Sequence, residues 1–170
     1  MKRSVKAVVL TGLAVGAVLG MAGTMVGSQN LRAVLWAIDG TGLIVATSLL
    51  ALAQFRKGND LIAAGFLVYA IGEAVMTGAT AMSLEGSVPA FALGTALWSA
   101  ALLLTGIPAG FAPLWGRAAA CVGAVLFATV SLRIFSGELI TPIDKPLPYF
   151  AYPFLVLTFA GWAWGVRNSD

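Results

Sequence analysis

The chain reads as an all-α integral membrane protein: a bundle of six transmembrane helices with short loops and both termini in the cytoplasm (N-in/C-in). Three observations carry that reading. First, 59% of the 170 residues are hydrophobic and only 10% are charged, where soluble domains carry roughly 25% charged residues. Mean hydropathy is correspondingly high, at +0.93. Second, residues 7–27, 33–55, 61–83, 88–111, 118–135 and 147–166 form apolar stretches, each near the ~20 residues that cross a bilayer as a helix. Third, the basic residues are sorted. With the N-terminus inside, Lys2, Arg3, Lys6, Arg56, Lys57, Arg117 and Arg167 all fall on the inner side. Only Arg32 and Lys145 fall in outer loops, and Arg133 lies within a helix. That is the positive-inside asymmetry of a plasma-membrane protein. The whole of 1–170 is expected to form one domain.

What is missing narrows the function. There is no histidine, so imidazole bases and His-held metals are excluded. Cys121 is the single cysteine, which rules out an intrachain disulfide and any thiolate cluster. No basic patch of the kind nucleic acid needs is present, and no cofactor motif is legible. The longest loop, 136–146, is too short to hold a soluble catalytic domain.

Taken in order, the first span follows a basic start at Lys2, Arg3 and Lys6. A signal peptide also starts basic, but its apolar region runs about 7–15 residues, so a retained transmembrane helix is expected. Gly12, Gly16, Gly20, Gly23 and Gly27 recur along one face of it. Such a groove lets a second helix backbone come close. Packing within the chain is its first use and a homo-oligomer seam through this helix its second.

The second span contains Trp36 and, further in, Asp39-Gly40-Thr41-Gly42. Two glycines weaken a helix, but a continuous helix is the expectation. The third span carries Glu73 near its middle, with Tyr69, Thr77 and Thr80 at helical spacing on the same side. Pro89 suits the first turn of the fourth span, which holds Thr95, Trp98 and Ser99. The fifth contains Cys121, Thr129 and Arg133, and the sixth opens with Tyr149 and Tyr152 and closes with Trp162 and Trp164. No repeat relates the first three spans to the last three.

A rise of about 1.5 Å per residue converts position into depth. Glu73 and Trp98 come out level, roughly 15 Å below the outer boundary, and Asp39 and Thr77 roughly 10 Å below it. The inner half is almost wholly apolar. An outward-opening polar vestibule is therefore expected, lined by the second, third and fifth helices and floored by Glu73 and Trp98. Its ligand-binding candidates are Glu73, Asp39, Arg133, Trp98, Thr77 and Tyr69. By depth, Arg133 is the expected partner of Asp39, leaving Glu73 without a cation and the indole N–H of Trp98 free to seek it as an acceptor. A membrane carboxyl of that kind suits the binding or carriage of a small cation, proton or polar solute. The rival is a non-transporting scaffold whose charges only lock helix packing. An intramembrane enzyme has least support, since no nucleophile–base pair is legible.

Overall fold

The computed structural model describes residues 1–169. Six α-helices follow in order: α1 (Arg3–Met25), α2 (Gln29–Phe55), α3 (Asp60–Gly78), α4 (Val88–Gly106), α5 (Leu114–Phe135) and α6 (Tyr152–Arg167). A short 3-10 turn at Tyr149–Ala151 leads into α6. Among the described residues there is no strand, and all six helices are long and apolar enough to cross a membrane.

Several helix ends differ from the sequence expectation, each for a local reason. Helix α1 starts earlier and stops at Met25, so Gly27 lies beyond it. Helix α3 ends at Gly78 rather than at 83, where the chain tightens into turns and the Thr80 hydroxyl donates to the Thr77 carbonyl at 2.9 Å. Helix α4 ends at Gly106 rather than at 111 because Pro108 has no N–H with which to continue it. Helix α5 begins earlier, at Leu114, directly after Pro113. Residues 39–42 lie within an unbroken α2.

Helices adjacent in sequence pack together, and α6 closes on α1, so the six form a ring. Short connections make neighbours antiparallel. One end of the ring carries both termini and the α2–α3 and α4–α5 turns, and is called the termini end. The other carries the α1–α2, α3–α4 and α5–α6 connections and is called the loop end. In the termini half, aromatic side chains fill the centre. Phe66 meets Trp162 edge-on at 4.8 Å between ring centroids, and Tyr69 meets Trp162 and Phe159 at 5.4 and 5.8 Å. All four are buried. The outer surface carries large apolar side chains such as Val18, Ile38, Leu52, Leu67, Val125 and Leu132. A surface of this kind is consistent with lipid contact.

The glycines of α1 set the α1–α2 spacing. A Cβ at Gly12 would fall 2.5 Å from the Gly42 carbonyl oxygen, and one at Gly16 would collide with the Leu43 side chain. At Gly20 it would come 2.9 Å from the Asp39 carboxyl, and at Gly23 it would strike the Trp36 indole. Four glycines thus receive Ala46, Leu43, Asp39 and Trp36 from α2 of the same chain. Gly27 has nothing within 4 Å of its would-be Cβ and does not belong to the groove. The groove is thus filled from within the chain.

Two arginines terminate helices. Arg32 donates from Nε to the Gly23 carbonyl at 3.2 Å and from Nη2 to the Val26 carbonyl at 2.5 Å. Arg117 does the same for α4, reaching Gly106 and Ile107 at 2.9 and 2.5 Å. Each satisfies carbonyls left over at a helix C-terminus and places a cation at its negative end.

Candidate functional site

Four residues of α2 at helical spacing (Arg32, Trp36, Asp39 and Leu43) descend from the loop end along one stripe. Opposite them α3 presents Thr77, Met76 and Glu73, with Thr80 in the turn just beyond it. These two stripes, with Gly16 and Gly20 of α1, Phe91 and Trp98 of α4, and Tyr152 and Phe159 of α6, line a cavity of about 110 Å³. Gln29 at the start of α2, and Leu84 and Pro142 of the α3–α4 and α5–α6 connections, also border it. From Ser87 to Trp98, both on its wall, the helix rise gives a depth of roughly 16 Å.

At the bottom, the Trp98 Nε1–H donates to Glu73 Oε2 at 2.9 Å. The Trp98 ring is fixed by a parallel stack on Tyr69 at 5.7 Å and an edge contact with Phe127 at 5.2 Å. Glu73 is therefore held on a rigid aromatic platform. Asp39, one level higher, is held differently. Its carboxyl rests over the bare backbone of Gly20, and its Oδ1 is buried with no hydrogen-bond partner among the described residues. The Thr77 hydroxyl has none either, and it occupies the space a Cβ on Gly40 would need.

The remaining polar groups are occupied. Arg32, the cation bordering the cavity, has Nε and Nη2 on helix carbonyls and its guanidinium 5.8 Å from the Trp36 ring centre. The Trp36 Nε1–H donates to the Gly20 carbonyl at 3.2 Å. Tyr152 donates to the Pro142 carbonyl at 2.7 Å, tying the α5–α6 connection over the site. Thr95 bonds its own helix at Phe91, whereas Ser99 crosses to the Ala124 carbonyl of α5 at 2.8 Å.

Three sequence expectations need correction. Arg133 does not meet Asp39. It pairs with Glu138 just past its own helix, with Nε–H donating at 3.0 Å and Nη2 at 2.5 Å, and both side chains are exposed. Those hydrogen bonds hold the Glu138 carboxyl below its ordinary range. A local acid reachable without crossing the bundle won over a distant one. Consequently α5 contributes nothing to the cavity wall, whose helices are α1, α2, α3, α4 and α6. Tyr69 lies beneath the floor rather than in the wall, and its buried hydroxyl lacks a partner among the described residues. Glu73, Asp39, Trp98 and Thr77 are brought together on one cavity. Arg32, Trp36, Phe91 and Tyr152 were not expected there. The Arg32–Trp36–Asp39 spacing of four and three was the available signal for the first two.

No protein family, curated protein or solved structure matches this chain, so the site is read from its own chemistry.

Proposed function

We propose that this is a multi-pass plasma-membrane protein, both termini cytoplasmic, that binds a small cationic solute entering its cavity from outside. The observation that carries this is Asp39: a buried carboxyl beside a cavity that loop-end residues border, with no cation or donor among the described residues assigned to it. Burying a carboxyl without a partner is costly, and polar groups are kept at such depth mainly where they act on an ion or solute. Glu73, one level deeper, adds a second acceptor. Arg32 does not neutralise the pair, because it is engaged with α1 at the rim.

The orientation follows from charge. Seven of the ten basic residues sit at the termini end: Lys2, Arg3, Lys6, Arg56, Lys57, Arg117 and Arg167. The rule that basic loops stay inside puts that end in the cytoplasm and the cavity mouth outside. The scaffold reading draws less support, since Asp39 makes no ion pair that would lock helices. Carriage through the membrane would need a second state in which the aromatic packing of Phe66, Tyr69, Phe159 and Trp162 parts.

The test is thermal unfolding of the purified protein in lipid nanodiscs, with sodium, potassium, ammonium and alkylammonium chlorides at constant ionic strength. At least one cation is expected to stabilise the wild type in a saturable way, by about 2.7 kcal/mol at a hundredfold excess over Kd. The double variant Asp39→Asn/Glu73→Gln is expected to lose that response. A wild type indifferent to every cation overturns the proposal.

A further inference from the structure

Resting on the cation-binding reading above, we infer that the solute is a small organic ammonium ion rather than a metal ion or a proton alone. Its charged nitrogen sits against the Asp39 carboxyl and its carbon groups lie among the rings lower in the cavity.

The donor set argues this first. A bare metal ion gives up its water only to a nearly complete shell, about six oxygens for the hard cations. This cavity has two carboxyl groups and scattered threonine hydroxyls, and among the described residues no group of three acidic, histidine or cysteine side chains gathers anywhere. An ammonium ion asks for less: one or two acceptors for its N–H or charged face, and apolar surface for the rest.

The walls supply that surface. Around the acids stand Leu43, Met76, Leu155 and the rings of Trp98 and Phe159, with the Trp36 ring above Asp39. Aromatic rings attract alkylated ammonium groups through their quadrupole, an attraction that strengthens where water is excluded. Apolar walls penalise a hydrated inorganic ion by stripping its water without replacing it.

Size sets the upper limit. A dry apolar cavity of about 150 Å³ admits benzene. The 110 Å³ here would then hold roughly four or five heavy atoms, the size of propylammonium or tetramethylammonium. Asp39 borders the cavity and accepts no hydrogen bond among the described residues, so its carboxyl is the acceptor left for such a group.

The experiment titrates nanodisc-embedded protein with sodium, ammonium, propylammonium, tetramethylammonium and the neutral control 1-propanol. Binding is read by thermal shift and by the fluorescence of the tryptophans, two of which line the cavity. Propylammonium or tetramethylammonium is expected to bind about tenfold more tightly than sodium or ammonium, and 1-propanol not to compete. Asp39→Asn should weaken binding at least about tenfold, and Phe159→Leu, which keeps apolar volume but removes a ring, several-fold. Should Asp39→Asn fail to fold, Glu73→Gln in its place must still weaken binding. Sodium or ammonium binding as tightly as the alkylated ions overturns the inference while leaving a cation site standing. So does alkylammonium binding that the carboxyl variants leave unchanged. No binding by any cation removes both this inference and the reading beneath it.

Discussion

Asp39 and Glu73 are two buried carboxyls on one cavity, and they are held in opposite ways. Glu73 receives an indole N–H and rests on stacked rings. Asp39 has a glycine backbone beneath it and Oδ1 without a donor. The difference predicts different responses to neutralisation. An unsatisfied buried polar group typically costs 1–3 kcal/mol, roughly, and a charged one more. Asp39→Asn is therefore expected to raise the stability of the unliganded protein by about 1 kcal/mol, the signature of a group kept for function at a cost in stability. Equilibrium unfolding in mild detergent would measure it. A clear loss of stability would instead mark Asp39 as a structural residue. Arg133 makes the converse point. Its pair with Glu138 is exposed and stands away from the cavity wall, and exposed pairs of this kind contribute little.

At the scale of helices, the α1–α2 seam shows how four glycines position a functional carboxyl. Trp36, Asp39, Leu43 and Ala46 enter the groove in antiparallel order against Gly23, Gly20, Gly16 and Gly12, so the seam that seats Asp39 is also the one that fixes the hairpin. Gly12→Ala should be destabilising by about 1–3 kcal/mol, because its Cβ meets a backbone carbonyl that cannot swing away. Gly27→Ala should stay within about 0.5 kcal/mol. Unfolding of the two variants side by side checks this, and equal effects would mean the groove is not close-packed. The groove was legible in the sequence because glycines at helical spacing have one natural use. The level of Glu73 with Trp98 was also legible, since the helix rise fixes depth. Rotation was not: depth says nothing about which way a helix faces, and α5 turns Arg133 outward to Glu138. Arg32 was read as a loop residue because its role depends on where α1 ends, which the unbroken apolar run of 7–27 conceals.

For the molecule as a whole, the ring has two unlike halves: a hollow at the loop end and a packed aromatic centre toward the termini. The proposed orientation can be tested without any ligand. In a Cys121→Ser background, Glu85→Cys should react with a membrane-impermeant maleimide on intact cells, and Lys57→Cys only after permeabilisation. The reverse pattern would turn the molecule over and make the cavity cytoplasmic. The aromatic centre has a consequence for how the protein would report on its surroundings. A berth closed beneath by that centre would equilibrate with the compartment at the loop end alone. Its occupancy would follow the solute concentration on the mouth side and stay blind to the concentration beyond the rings, which is the behaviour of a gauge rather than of a conduit.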